Sequence, residues 1–172
     1  MKGDIGNDCL ISVDEIYFRI FEYGRKFFSH KNKKSALRYE IGLNIITGDL
    51  VWVNGPFPAG KYSDITIFWD SLITFLGPGE RVEADDGYIG EAPHYIKCPM
   101  SVTNPKARKL MQGRLRSRQE TVNRRFKDWG ALKQVFRHHA SNHADILHAI
   151  VVLTQIAIDS GEPLFSCEYR DD

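Results

Sequence analysis

Three acidic residues of this chain have the type and placement that metal chemistry requires. Asp14 follows the apolar run 9–13, Asp85 follows the short run 81–84, and Glu120 lies midway along a long segment with helical periodicity. Hard divalent cations prefer carboxylate oxygens and keep several of their waters, so acids arriving from separate elements can share them. Two ions about 4 Å apart activate a water or a 3′-hydroxyl and stabilise the leaving oxygen in phosphoryl transfer. A chain with 22 acidic residues offers many such triplets, so the constellation needs support from its surroundings. Asp64 and Asp86 are secondary acidic candidates. Asp64 stands beside Ser63 at a helix start, where capping is the competing role, and Asp86 belongs to the turn before Gly87.

The basic residues are unevenly spread. The net charge is only +1, yet residues 97–137 carry twelve Lys or Arg against two acids, Glu120 and Asp128. Such an excess tracks phosphates. Arg116 and Arg124 flank Glu120 at i−4 and i+4, Lys127 follows, and Lys31 sits in a polar loop; these four are the expected nucleic-acid contacts. The competing account of the helix is a solvated ion-pair row, contributing a few tenths of a kcal/mol per pair, because Glu120 lies roughly opposite the apolar stripe. His138, His139, His143 and His148 match no common zinc spacing. Trp52, Trp69 and Trp129 are expected in the core.

The elements that must position these groups read as strands first and helices later. Residues 9–13 and 16–22 are strand candidates, and 36–46 with 50–53 form a hairpin across Thr47-Gly48-Asp49. Residues 55–60 are dense in Pro and Gly and are expected to be irregular. A helix over 65–75 is capped by the Ser63-Asp64 pair, and a strand covers 81–84. A helix over 106–129 has Met111, Leu115, Val122, Phe126 and Trp129 in one stripe. A last helix, 142–160, is apolar nearly all round. This is an α/β arrangement with a mixed sheet. One domain is expected over 9–160, with a disordered segment at 1–8 and a tail at 161–172. Cys9, Cys98 and Cys167 are odd in number and widely spaced, as expected of free thiols in a reducing compartment. Residues 1–8 lack a signal-peptide core, and 146–158 is too short and polar to span a membrane. A soluble intracellular protein is expected.

From Ser29 to Tyr88 the chain resembles the DDE superfamily endonuclease domain of Harbinger-like transposases. The residues that carry this are Ser29-His30-Lys31, the LRYEIGL segment 37–43, Val51 through Asp64 (VWVNGPFPAGKYSD) and Gly79 through Tyr88 (GERVEADDGY). The basic segment 116–129 (RSRQETVNRRFKDW) is similar to that family's last acidic helix, and weaker similarity extends over about 9–155. The resemblance implies an RNase H-like mixed sheet flanked by helices, with the first acid on the first strand, the second after the fourth and the third on a helix. It implies Asp14, Asp85 and Glu120 as catalytic and metal-binding residues, with two Mg²⁺ or Mn²⁺ ions. It further implies DNA as substrate and a nuclear location. A separate Myb-like DNA-binding protein and a homo-oligomer are compatible partners. The family usually has Asp-Gly-Thr at the first acid, where this chain reads Asp14-Glu15-Ile16, with bulk and a second charge expected in that turn. Only eight residues precede the first strand, too few for a helix-turn-helix. These two departures define the alternative expectation, a catalytically dead, transposon-derived remnant that binds DNA or protein.

Overall fold

The computed structural model describes residues 9–165. The expectations for 1–8, 166–172 and Cys167 lie outside these residues. Strands are β1 (Cys9–Arg19), β2 (Phe28–Ser29), β3 (Lys34–Asn44), β4 (Leu50–Pro58), β5 (Arg81–Glu83) and β6 (Ile96–Lys97); helices are α1 (Asp64–Asp70), α2 (Pro105–Lys127), α3 (Gly130–Lys133) and α4 (His143–Asp159). The sheet is mixed. Its order is β2-β3-β1-β5-β6, with β4 also pairing β3. β1, β3 and β4 pair antiparallel, while β5 joins β1, and β6 joins β5, in parallel.

The two runs expected as separate strands are one continuous β1. Asp14 therefore sits mid-strand opposite Ile41, rather than at a strand end. Polar Asp14 and Glu15 do not break the strand, because alternate residues leave for opposite faces. Ile16, Phe18 and Ile20 enter one core with Val122 and Phe126 of α2 and Leu147 and Ile150 of α4. Val13 enters the other core with Phe68 of α1, Val82, Ala84 and Tyr88. Full burial of a Val or Phe side chain contributes about 1.5–3 kcal/mol, so these contacts fix which way Asp14 and Glu15 point.

β4 runs through the Gly/Pro stretch expected to be irregular. It pairs β3 alone, and prolines are tolerated where one edge of a strand is free. The register slips between Arg38 and Glu40, which face Phe57 and Asn54. Gly55 takes up the slip at a positive φ, and a Cβ there would lie 2.6 Å from the Tyr39 ring.

Asn104 caps α2, its Oδ1 accepting from the N–H groups of Lys106 at 2.9 Å and Ala107 at 3.4 Å, and Pro105 occupies the first helical position. Arg124, Arg125 and Lys127 lie in the last turn, where the helix dipole favours cations. Met111, Leu115, Val122 and Phe126 are buried as expected, but α2 ends before Trp129, which is 42% exposed. Trp69 is likewise exposed, its indole N–H donating to Glu91, so these two tryptophans are not core residues. Leu164 and Phe165 pack on the first core, so packing continues past residue 160. No helix among the described residues is long and apolar enough to cross a membrane.

Candidate functional site

β5 reaches only as far along β1 as Ser12. Past that point the β5-side edge of β1 carries no strand until Ile20 bridges Phe136. The candidate site occupies this gap. The chain leaves β5 at Ala84, and Asp85 caps the 3-10 turn Asp86–Glu91, its Oδ1 accepting from the Gly87 N–H at 2.8 Å. Asp64 lies over the same turn. A Cβ on residue 87 would meet Asp64 Oδ2 at 2.5 Å and Asp85 Oδ1 at 2.9 Å, so a glycine is what lets both carboxylates approach.

Asp14 projects to the α2 side, into a small crevice shared with Ser12, Gln119 and Val122. Burial pushes its carboxyl up to about 7, against a hydrogen bond from the Glu15 backbone N–H. The charge of Asp85 pushes the same way, Lys31 opposes it, and Asp64 adds to the rise. The Asp85 carboxyl is raised too, by burial first and then by Asp64 and Asp86, with the Gly87 N–H and Lys31 opposing. Asp14, Asp64 and Asp85 are thus brought within mutual electrostatic reach, and Lys31 stands close enough to act on Asp14 and Asp85.

Glu15 does not crowd Asp14. It points to the opposite face, so the expected bulk and second charge in the first acid's turn are absent from the cleft: the backbone runs straight there. On that face Arg38 Nη1 lies 2.9 Å from Glu15 Oε1 and 3.0 Å from Asp64 Oδ1, and donates to the Tyr62 carbonyl at 2.6 Å. Tyr17 donates to Glu15 Oε2 at 2.9 Å and accepts from Arg38 Nη2. One guanidinium faces two carboxylates here, and Glu15 is the more buried of them. The Glu15 side chain is 4% exposed against 26% for Asp64. Burial, with the hydrogen bond to Asp64, pushes Glu15 up to about 9. Across the strand from Glu15, fully buried Glu40 accepts from the Trp52 indole at 2.8 Å and is pushed by burial up to about 7.

The remaining expected residues divide. Ser63, rather than Asp64, caps α1, its Oγ accepting from the Thr66 N–H at 3.4 Å, which leaves Asp64 free to face Arg38. Asp86 accepts from the Met100 N–H at 2.8 Å and holds the following turn. Glu120 is exposed on α2; its neighbour Gln119 is the residue that faces Asp14. Arg116, Arg124 and Lys127 are exposed. His143 is buried against Tyr39, while His139 bonds Ser141, so the histidines go to separate partners. Among the described residues no group of three or more His, Cys, Asp or Glu has the geometry of a metal site.

Sequence reasoning missed Glu15, Arg38 and Glu40 as buried charged residues, of which Glu15 and Arg38 form an ion pair. The signal was present: Arg38 and Glu40 are charged residues two apart in an otherwise apolar strand, hence on one face of it. Comparison with known proteins adds no relative: no family model, curated protein or solved structure matches the chain.

Proposed function

We propose that this chain is a metal-dependent DNA endonuclease and strand-transfer core of the DDE transposase kind, built on an RNase H-like sheet. One observation carries the reading: Asp14 from mid-β1 and Asp85 from beyond the end of β5 lie within electrostatic reach, and burial together with neighbouring acids holds both carboxyls above their usual range. Acids kept in such a state are a mark of sites that await a cation. The sheet order supports the same reading, with an antiparallel β4-β3-β1 half and a parallel β1-β5-β6 half meeting at the strand that bears Asp14.

Asp14 and Asp85 suit a hard cation, since their oxygens are the donors Mg²⁺ and Mn²⁺ prefer and two carboxylates suffice when phosphate and water complete the shell. Bound there, the ion supplies Lewis-acid polarisation of a phosphodiester and a more acidic water. Asp64 is the nearest further carboxylate, steered by Arg38. Glu120, next to the α2 residue that faces Asp14, is exposed and would be the third ligand on this reading. Lys31 offsets the acids' charge and meets the phosphate. DNA is the partner on this reading, alongside a separate DNA-recognition protein, and the nucleus is the compartment. Purified protein is expected to nick duplex DNA with Mg²⁺ or Mn²⁺ and to lose this on Asp85→Asn; equal cleavage by both would sink the proposal.

A second reading, a transposon-derived protein that binds DNA or a partner without cutting, is favoured by the exposure of Glu120. Metal titration separates the two. A ligand that binds the native state raises its stability, so millimolar Mg²⁺ shifts the melting temperature in the enzyme reading and leaves it in place in the other.

A further inference from the structure

Beside the carboxylates lies a groove of about 370 Å³ between the open edge of β1 and the C-terminal half of α2. Arg19, Lys34 and Lys127 converge on it with the carboxamides of Asn32 and Asn123, and Glu15, Tyr17 and Ala36 complete the lining. Three arginines elsewhere show what a cation does when an acid is near: Arg38 pairs with Glu15 and Asp64, Arg118 with Glu83, Arg125 with Glu162. Arg19, Lys34 and Lys127 have no such partner among the described residues, though they crowd one concavity. The single acid in the lining does not neutralise them, because Glu15 is already engaged by Arg38, whose Nη1 lies 2.9 Å from its Oε1. Three uncompensated cations with two neutral hydrogen-bonding amides form a receptor for a polyanion. The groove is also joined to the carboxylates: Lys31 lies 5.9 Å over the Tyr17 ring and acts on Asp14 and Asp85.

We infer that this groove is a phosphate-backbone subsite, which seats the nucleic-acid strand flanking the phosphodiester that lies at Asp14 and Asp85. The inference rests on the proposed function for its substrate and adds the path the strand takes. Arg19 and Lys34 come from the β1–β3 side and Lys127 from the last turn of α2, so the strand is gripped between sheet and helix. The exposed α2 ridge of Lys106, Lys109 and Arg114, at the helix's other end, is not part of this grip.

The test is fluorescence anisotropy of the full chain with an end-labelled duplex in EDTA, where cleavage plays no part. Arg19→Gln, Lys34→Gln and Lys127→Gln combined are expected to weaken binding about tenfold or more and to lower the salt slope by roughly 0.9 per phosphate contact removed. Lys106→Gln, Lys109→Gln and Arg114→Gln combined form the control for bulk charge, expected to cost under about threefold, the loss of non-specific attraction alone. All six side chains are exposed, and a melting curve confirms that each variant folds. Wild-type affinity in the groove variant, or equal losses in both, overturns the inference. A groove that binds DNA in a protein that never cleaves it overturns the proposed function and leaves the groove standing; cleavage with groove variants of unchanged affinity does the reverse.

Discussion

Two regions along β1 bury titratable groups in opposite ways. On the α2 and α4 side His143, fully buried, shares a hydrogen bond of 2.8 Å with the Tyr39 hydroxyl inside a cage of Phe18, Tyr39 and Phe136. Burial lowers its pKa to about 4, so it is neutral and sits as an aromatic wedge. Across the open edge of the same strand, Asp14, Asp64 and Asp85 approach one another with a single flanking Lys31, and Asp14 faces a Gln119 amide nitrogen that has no partner. The His143 ring is enclosed and its Nδ1 paired; the acids are left in conflict next to a cleft. Strain of this kind persists where a ligand relieves it, and it lowers the stability of the empty protein.

On the proposed function, the largest effect separating the two regions is on DNA cleavage. Asp14→Asn and Asp85→Asn are each expected to reduce Mg²⁺-dependent cleavage by about 10²–10³ or more, the scale on which preorganised charge stabilisation acts. Tyr39→Phe, in the aromatic cage, leaves the rate per folded molecule unchanged. A cleavage defect in Tyr39→Phe would erase the contrast.

Stability inverts the order. Asp14→Asn removes a carboxylate that burial opposes, and is expected to stabilise the metal-free protein at pH 8 by about 1–3 kcal/mol. Tyr39→Phe leaves the His143 ring nitrogen buried without its partner and costs about 1–3 kcal/mol. Chemical denaturation in EDTA reads both, and destabilisation by Asp14→Asn would mean that Asp14 is held as a structural group.

The pH dependence sharpens this. Asp14 rises from 3.8 to about 7 on folding, so the native state keeps a proton that the unfolded chain releases. Its contribution is full below about pH 4, is lost as pH climbs to about 7, and is flat beyond. His143 falls from 6.5 to about 4, so its contribution is full above pH 6.5 and is lost as pH drops to about 4. Denaturation midpoints from pH 4 to 8 should show the decline towards neutral pH flatten in Asp14→Asn and stay in His143→Gln.

These contrasts also explain what the sequence disclosed. The mixed sheet, α2 and α4 were legible because hydrophobic periodicity fixes which face is buried. Asp64 and Asp85 were legible because local turn chemistry around Ser63 and Gly87 marks them. What stayed hidden depends on pairing between distant strands. Nothing local says that residues 9–13 and 16–22 form one strand, and that continuity turns Glu15 away from Asp14. β4 survives its prolines because its only partner is β3, a fact of topology rather than composition. The Arg38–Glu15–Asp64 contacts needed the β1–β3 register, which depends on the whole sheet.

The smallest structural effect belongs to Glu120, and it decides most about the site. Its side chain is exposed on α2, so Glu120→Gln is expected to shift stability by no more than about 0.5 kcal/mol. In the enzyme reading Glu120 would complete the ligand set of a bound metal, and cleavage falls as it does for Asp85→Asn. Gln119→Ala is the control, for it vacates the position facing Asp14 while leaving Glu120 in place. Full cleavage by Glu120→Gln would remove it from the reacting set and leave Asp64, with Arg38 behind it, as the third carboxylate of the site.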